Sequence, residues 1–427
     1  MVHFEDSWHF ALHNDQNDSL KDFRDLFFIP KHNGQEVAYF CGNSLGLQPK
    51  SIRQALEVEL TDWQNLGVEG HFKAKNAWLY YHKLFSESLA NLVGAKPIEV
   101  VAMNSLTVNL HLLLVSFYRP DQKKYKILME GGAFPSDQYV AESQVRFHGF
   151  DPKEAIVEIF PRKGEHTLST EDILQVIENE KDSLALVLFG GVNYYTGQFF
   201  DLKKITEKAH AVGAKAGFDL AHAVGNVELF LHDWDVDFAA WCGYKYLNSG
   251  AGGTSGIFVH EKYAQNPDLQ RFAGWWGHNE SERFLMKKGF QAMQGAAGWQ
   301  LSNAQVFPMA MHKAALEIFE QAGGVKILRQ KSIELTAYLE FLVKKFNDLQ
   351  SKIHIQILTP SQSEQRGCQL SLVVKPNGKE LFDFLTENGI VTDWREPDVI
   401  RLAPVPLYNT FADIFRFYEA LERFVNR

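Results

Sequence analysis

Apolar residues recur at helical spacing between residues 51 and 66. Four of them lie three or four positions apart, and a proline and a glycine flank the stretch: Ile52, Leu56, Leu60, Trp63, Pro49 and Gly67. This pattern predicts an amphipathic helix, because one face of a helix repeats every three to four residues. The same reasoning predicts helices over 78–93 and 110–117, and the latter follows Ser105 and Thr107, whose hydroxyls suit a helix start.

Three short apolar runs in the middle of the chain predict buried strands. Run 183–189 is closed by two glycines, a helix is predicted over 202–212, and runs 214–219 and 236–242 follow. A strand buried on both faces is apolar throughout, whereas a strand with one exposed face alternates. Strands that alternate with helices in this way predict crossover connections and a mainly parallel sheet.

The hydrophobic pattern beyond residue 300 predicts a second, smaller unit. Its predicted elements are helices 305–347, 379–388 and 410–425 and strands 353–358 and 369–374. A chain of 427 residues is also longer than one hydrophobic core usually accommodates. We therefore expect an α/β protein with a large domain over 41–300 and a small C-terminal domain over 301–427. The segment 1–40 is expected to pack with the small domain.

Composition and charge narrow the class of partner. The formal net charge is −9 with acidic and basic residues mixed, so neither nucleic acid nor an anionic membrane is an expected partner. No apolar stretch approaches the roughly 18 residues that span a bilayer, and the N-terminus lacks the pattern of a signal peptide. Three widely spaced cysteines, Cys41, Cys242 and Cys368, suit neither disulfides nor a zinc knuckle. A cytoplasmic protein that acts on a small molecule is expected.

An acid and a lysine stand where two neighbouring predicted strands end. Asp219 closes the run 214–219, and Lys245 follows the run 236–242. Ligand sites of open parallel sheets lie at this edge, so the two side chains should approach each other. The pair suits pyridoxal phosphate, because a lysine amine condenses with its aldehyde and a carboxylate keeps its ring nitrogen protonated. A partly buried ion pair is the plainer interpretation, and the surrounding motifs decide between the two.

Two motifs favour the cofactor. Asn104 to Thr107 precede a predicted helix, whose N-terminal N–H groups attract a phosphate, although an ordinary helix cap has the same sequence. Phe134 follows two glycines, which suits a ring stacked on a flat heterocycle or a core residue after a turn. The glycine-rich run 250–256 lacks the register of a nucleotide loop, and 232–237 lacks the glycine and glutamate of a calcium loop. No metal is expected.

Longer segments resemble one family of pyridoxal-phosphate enzymes, the kynureninases, and the animal type in particular. The segments are Phe218–Asn226, Trp241–Asn248, Phe134–Asp137 and Gly274–His278, with Gly42–Gly46 and Arg401–Asn409 near the two ends. The resemblance implies fold type I, with a seven-stranded-type sheet in the large domain. It also implies a homodimer that hydrolyses the Cβ–Cγ bond of kynurenine or 3-hydroxykynurenine to alanine and an anthranilate.

The resemblance also implies roles for residues around the cofactor. Lys245 would be the covalent anchor and general base, Asp219 the partner of the ring nitrogen and Tyr244 a proton relay. Tyr244 would also contact the phosphate. The remaining cofactor residues would be Leu106 and Thr107 at the phosphate, Phe134 stacked on the ring, Asp137 and His222 along the cofactor, and Trp275 and Asn303 from the neighbouring subunit.

A second group of implied residues binds the substrate. Arg401 would pair with the α-carboxylate, whose geometry suits an arginine fork. The other implied substrate residues are His71, Asn303 and Ser44, and the polar groups of His71 and Asn303 favour 3-hydroxykynurenine. One departure is Gly190, where the animal enzyme has a serine, and this puts one polar contact in doubt.

Rival functions share the Asp219 and Lys245 pair. An aminotransferase or a cysteine desulfurase would use the same cofactor, since the pair does not fix which bond is broken. A desulfurase needs a nucleophilic cysteine, for which Cys368 is the only candidate. A binding protein that retains the fold without catalysis is a further alternative, and the intact lysine and aspartate argue against it.

Overall fold

A computed structural model describes residues 3–266 and 268–427. The chain begins with helix α1 and five two-residue strands. Their bounds are α1 (Trp8–Asn17), β1 (Phe27–Phe28), β2 (Lys31–His32), β3 (Gln35–Glu36), β4 (Ala38–Tyr39) and β5 (Gln48–Pro49). Strand β1 pairs with β5 and β2 pairs with β3, in each case antiparallel. This segment therefore forms no large sheet of its own.

A seven-stranded sheet forms the centre of the molecule. Its strands are β6 (Val100–Ala102), β7 (Lys126–Glu130), β8 (Ile156–Ile159), β9 (Leu184–Gly190), β10 (Lys215–Asp219), β11 (Phe238–Trp241) and β12 (Gly256–Val259). The spatial order is β6-β12-β11-β10-β9-β7-β8. Strands β8, β7, β9, β10 and β11 are parallel, and β12 runs antiparallel to both of its neighbours. The predicted mainly parallel sheet is confirmed.

Helices cover both faces of this sheet. They are α2 (Ile52–Leu66), α3 (Gly70–Lys73), α4 (Ser86–Val93), α5 (Leu106–Phe117), α6 (Pro135–Phe147), α7 (Pro152–Ala155), α8 (Thr170–Asn179), α9 (Leu202–Ala211) and α10 (Val306–Gln321). Along β9, Leu186 and Leu188 pack on the α5 and α6 side, whereas Val187 and Phe189 pack on the α9 and α10 side. The continuous apolar run thus reflects burial on both faces.

Two predicted helices differ in detail from the structure. The predicted helix 78–93 begins as a 3₁₀ segment, Trp78–Phe85, before α4. The predicted stretch 305–347 is two helices, α10 and α11 (Val325–Leu349). The break lies at Gly323 and Gly324, whose φ angles are 84° and 80°. Positive φ is accessible to glycine at little cost and ends a right-handed helix.

The C-terminal part builds a second sheet after α11. Its elements are β13 (His354–Ile357), β14 (Leu370–Lys375), α12 (Gly378–Glu387), β15 (Ile390–Val391), β16 (Asp393–Arg395), β17 (Val399–Leu402) and α13 (Phe411–Val425). Four antiparallel strands pair in the order β13-β14-β17-β16. Helices α11, α12 and α13 share an apolar core with this sheet. No helix of residues 3–266 and 268–427 is long and apolar enough to cross a membrane.

The N-terminal helix α1 packs on the C-terminal helix α13. The rings of Trp8 and Phe415 lie edge to face, 5.0 Å apart. Asp15 accepts hydrogen bonds from the N–H groups of Phe411 (2.7 Å) and Ala412 (3.0 Å), which open α13. The predicted domain limits at 40 and 300 stay a prediction. Helix α10, which follows the limit at 300, packs with the core of the large sheet.

We predict that Asp15→Ala destabilises the protein by about 1 kcal/mol, because two N–H groups of the first turn of α13 lose their acceptor. Urea unfolding monitored by circular dichroism measures the loss. The matched control is Asp22→Ala, which removes an exposed acid from the same N-terminal segment. Equal stability of the two variants would contradict the assigned role of Asp15.

Candidate active site

A cavity lies where the parallel strands of the large sheet end. Asp219 is the last residue of β10 and is the register partner of Gly190, the last residue of β9. Lys245 follows the end of β11, the next strand of the sheet. The cavity measures about 160 Å³. Eight residues that the sequence predicted line it, namely Leu106, Thr107, Phe134, Asp137, Asp219, His222, Tyr244 and Lys245.

Lys245 points to a neutral imidazole. Its Nζ lies 3.0 Å from His222 Nε2 and 5.8 Å from the centre of the Phe134 ring. Burial, together with the positive charge of Lys245, holds the pKa of His222 well below its ordinary value. The imidazole is therefore uncharged, and its Nε2 accepts a hydrogen bond from the lysine. This pair places a reactive amine next to an aromatic ring in the cavity.

Three carboxyl groups, Glu130, Asp137 and Asp219, line the cavity around the lysine. Burial and the neighbouring Asp219 charge raise the pKa of Asp137 well above its ordinary value, so Asp137 is protonated and donates a hydrogen bond to Asp219. Burial also raises the pKa of Asp219, whereas Lys245, the Ala221 N–H and Asp137 act in the opposite direction. Oδ1 of Asp219 accepts the Ala221 N–H at 2.8 Å. Asp219 is thus the carboxylate that these three contacts stabilise.

Glu130 is a site residue that the sequence reasoning missed. Burial raises its pKa to about 7, although the hydrogen bond that it accepts from the Gly190 N–H at 2.8 Å lowers the pKa. A Cβ atom on Gly190 would lie only 2.9 Å from Glu130 Oε1. The carboxyl group therefore lies where a side chain at position 190 would begin. The available signal was the apolar run before Glu130, which ends in an acid as the run before Asp219 does.

Two helix N-termini meet at one end of the cavity. Helix α5 begins at Leu106 and helix α6 at Pro135, and the hydroxyls of Thr107 and Ser136 lie 2.7 Å apart between them. N–H groups and the positive end of the helix dipole attract an anion there. Ser136 was missed because no helix was predicted after Phe134. The other lining residues beyond the prediction are Ser105, Val192, Tyr194 and Ala221.

The residues present fit pyridoxal phosphate. Within the described part of the chain, Nδ1 of His222 is buried without a hydrogen-bond partner, and His222 lines the cavity. Buried polar atoms are rarely left in this state unless a ligand satisfies them. The cavity supplies an amine for the aldehyde, a carboxylate for the ring nitrogen, and two helix N-termini for the phosphate.

Tyr244 also lines the cavity, beside Lys245. Burial raises the pKa of its phenol to about 12, and the neighbouring Cys242 acts in the same direction. The hydroxyl therefore carries its proton at neutral pH. The hydroxyl is therefore a hydrogen-bond donor in the cavity.

Two predicted substrate residues, Arg401 and Ser44, lie next to the cavity. The Arg401 guanidinium is buried, and its Nη1 donates to the carbonyl of Tyr194, a lining residue, at 2.6 Å. Its Nη2 lies 3.1 Å from Ser44 Oγ. The small C-terminal sheet therefore brings an arginine to the edge of the large-domain site.

Three other predicted residues do not line the cavity of their own chain. Trp275 is 45% exposed, and its Nε1 donates to the carbonyl of Arg283 at 3.2 Å. Asn303 is exposed. His71 is bonded to the Val68 carbonyl, with Nδ1 3.0 Å from the oxygen. A single chain leaves these side chains outside the site.

A cluster of Glu99, His232 and His260 lies at the opposite edge of the sheet, where the geometry would admit a metal ion. Glu99 Oε1 accepts from His232 Nδ1 (3.0 Å) and from the Glu261 N–H (2.7 Å), and Oε2 accepts the Lys96 N–H (2.8 Å). Both oxygens are thus already bound to protein donors. These bonds give the cluster a structural role, because they join Glu99, just before β6, to Glu261, just after β12.

Comparison with solved structures defines the class of protein. A cysteine desulfurase from Escherichia coli aligns with a TM-score of 0.75 at 17% identity, over 96% of this chain and 99% of its own. The cystine lyase C-DES, solved with glycine linked to the PLP cofactor, aligns with a TM-score of 0.73 at 16% identity, over 90% and 96% of the two chains. At these identities the likeness concerns the fold. Fold and cavity together define a pyridoxal-phosphate enzyme of fold type I.

Comparison with sequences then identifies the family. A kynureninase from Flavobacterium psychrophilum is 55% identical over 98% of each chain, and one from Rattus norvegicus is 49% identical over 96% of this chain and 92% of its own. The family model of the kynureninase C-terminal domain matches residues 328–421. The chain belongs to the kynureninase family. The predictions of family, fold class and cofactor are confirmed.

The cysteine desulfurase alternative also fails on chemistry. Cys368 is buried, and burial raises the pKa of its thiol to about 12. A nucleophilic cysteine requires an accessible thiolate. The fold is shared with the desulfurases, but the nucleophile is not available.

We predict that Lys245→Ala abolishes turnover and covalent attachment of the cofactor. No other amine lies against the Phe134 ring within the described residues. Mass spectrometry after borohydride reduction should show a cofactor adduct on the parent and none on the variant. The matched control is Lys203→Ala, an exposed lysine on α9, which should retain both adduct and turnover. An adduct on Lys245→Ala would disprove the assignment.

Proposed function

We propose that this chain hydrolyses the Cβ–Cγ bond of kynurenine, of 3-hydroxykynurenine, or of both, and yields alanine and an anthranilate. The observation that carries the proposal is the joint placement of Lys245 and Asp219 in one cavity, in a chain 55% identical to a kynureninase. Release of alanine together with an anthranilate tests it, and product analysis measures both. Formation of a keto acid or of sulfide in place of these products would contradict it.

Pyridoxal phosphate, when bound, withdraws electrons from the substrate Cα through its protonated ring. Asp219 holds the proton on the ring nitrogen, and Asp137 supports the Asp219 carboxylate by donating a hydrogen bond. Lys245 would hold the cofactor, and its amine would take up the proton of the substrate Cα as general base. Thr107 and Ser136 bind the phosphate together with the N–H groups of α5 and α6.

Tyr244 relays a proton near Lys245. Its phenol carries a proton at neutral pH, so it can pass this proton on and take up another in its place. Arg401 binds the α-carboxylate of the substrate, since its guanidinium is buried next to the cavity and a carboxylate matches its fork. Ser44 Oγ lies beside that guanidinium and completes the carboxylate site.

The enzyme acts as a homodimer whose partner completes the site. Two exposed apolar surfaces support this, one around α2 and α3 with Trp63 and Phe72, and one over 272–290 with Leu285 and Met286. A monomer rarely exposes apolar side chains at this density. Trp275, on the second surface, and Asn303 then reach the cavity of the neighbouring subunit.

We also assign the enzyme to the cytoplasm, because all three cysteines are free thiols.

We predict that mixed dimers restore activity to two inactive variants. One subunit carries Lys245→Ala and the other carries Trp275→Ala, and differently tagged subunits are purified as the mixed dimer. One of the two sites then contains both native residues, so about half of the parent activity per dimer is expected.

The matched control is a mixed dimer of Lys245→Ala with Asp219→Ala. Both residues belong to the same cavity of one chain, so neither site is intact and no activity should return. If the Trp275 dimer behaves like this control, Trp275 acts within its own subunit or not at all.

We predict a preference for 3-hydroxykynurenine that depends on His71. A site whose polar groups pair with the substrate hydroxyl leaves them unpaired with kynurenine, which should lower kcat/KM by about tenfold. The substitution His71→Ala should reduce the difference in kcat/KM between 3-hydroxykynurenine and kynurenine. Steady-state kinetics with both substrates measures it, and His9→Ala, an exposed histidine of α1, is the control. Equal kcat/KM for the two substrates in the parent would refute the preference.

A further inference from the structure

A second arginine and a carboxylate surround Arg401. Asp393 Oδ2 accepts hydrogen bonds from Arg401 Nη2 and from Ser44 Oγ, and it accepts a third from Arg395 Nη2 at 3.2 Å. Arg395 Nη2 also lies 3.4 Å from Ser44 Oγ. One carboxylate oxygen therefore joins both guanidinium groups.

The small sheet fixes this arrangement. Asp393 on β16 is the register partner of Arg401 on the neighbouring strand β17. Arg395 lies two positions after Asp393 on the same strand, and side chains at that spacing share one face of a sheet. Backbone pairing thus holds the three charged side chains together before any ligand binds.

The three groups differ in their contact with water. The side chain of Arg401 is 1% exposed, that of Asp393 is 13% exposed and that of Arg395 is 38% exposed. Two positive charges and one negative charge leave a net charge of +1, which a single carboxylate neutralises. With Arg401 and Asp393 alone, the pair would already be neutral and would attract a carboxylate weakly.

This cluster lies next to the cofactor cavity. The carbonyl of Tyr194, which lines the cavity, accepts a hydrogen bond from Arg401 Nη1 at 2.6 Å. The charges of Arg401 and Arg395 both help to lower the pKa of His222, after burial and Lys245. Within the described residues, Arg401 Nε is also buried without a partner. A buried N–H without an acceptor is a place for a ligand oxygen.

We propose that Arg395 and Asp393 are positioning residues that set the affinity of Arg401 for the α-carboxylate of the substrate. Asp393 orients the buried guanidinium, and Arg395 neutralises Asp393 so that one positive charge stays available to the ligand. The pair thereby selects amino acids with a free α-carboxylate over amines that lack one. This inference rests on the role proposed for Arg401.

The test compares kynurenine with the amine that lacks its α-carboxylate, used as an inhibitor. Arg395→Gln should raise KM for kynurenine about fivefold at nearly unchanged kcat, because it removes the available charge. The inhibition constant of the amine should stay the same. Arg395→Lys keeps the charge, and its KM should stay within about twofold of the parent value.

The double variant Arg395→Gln with Asp393→Asn provides the decisive comparison. It restores a net charge of one, so KM should return to within about twofold of the parent value. If Arg395 and Asp393 had only a structural role, the increases in KM caused by the two substitutions would add. The inference is overturned if the double variant binds kynurenine no better than Arg395→Gln, or if Arg395→Gln weakens binding of the amine equally. If Asp393→Asn does not fold, the difference between Arg395→Gln and Arg395→Lys decides.

Two further variants separate this inference from the proposed function. Arg401→Gln should lose discrimination between kynurenine and the amine, and unchanged discrimination there would reject Arg401 as the carboxylate site. Loss in Arg401→Gln with none in Arg395→Gln would reject only the positioning roles. Arg162→Gln removes a surface arginine paired with Asp172 and is the control, with KM and kcat expected to match the parent.

Discussion

The active site depends on the burial of charge around Lys245. Three carboxyl groups share one cavity with this lysine, and burial makes ionisation of all three costly. Asp137 keeps its proton and supports the Asp219 carboxylate by donating to it, while Glu130 is held by the Gly190 N–H. Asp219 is thus the carboxylate that Asp137 and the Ala221 N–H stabilise opposite the lysine. Parallel strands make this concentration of charge possible, since β7 and β10 end in Glu130 and Asp219 at one edge and Lys245 follows β11 there, while α6 adds Asp137.

Sequence reasoning was most successful where chemistry follows a recognisable strand. Asp219 and Lys245 come at or after the ends of apolar runs, so their approach could be predicted from topology alone. Glu130 and Ser136 were missed because β7 and α6 were not predicted, although Glu130 also ends an apolar run. The two-helix character of 305–347 was missed because the helical pattern continues across two glycines. Periodicity records burial and does not record a change of helix direction.

Long-range pairings were beyond any local pattern. Ser44 and Tyr194 lie far from Arg401 in the sequence, yet the Ser44 hydroxyl and the Tyr194 carbonyl both contact its guanidinium. The resemblance to kynureninases supplied the roles of Ser44 and Arg401, but it did not indicate that Asp393 shares the same guanidinium. That pairing follows from the register of β16 and β17, which hydrophobic spacing does not specify.

The packing of α1 on α13 has a consequence for synthesis of the chain on the ribosome. Phe10 and Ala11 pack in a core shared with Phe411 and Phe415, which are synthesised much later. During translation α1 therefore cannot complete its native packing until α13 has been made. A chain that stalls before residue 411 leaves the surface of α1 that α13 covers exposed to chaperones and proteases.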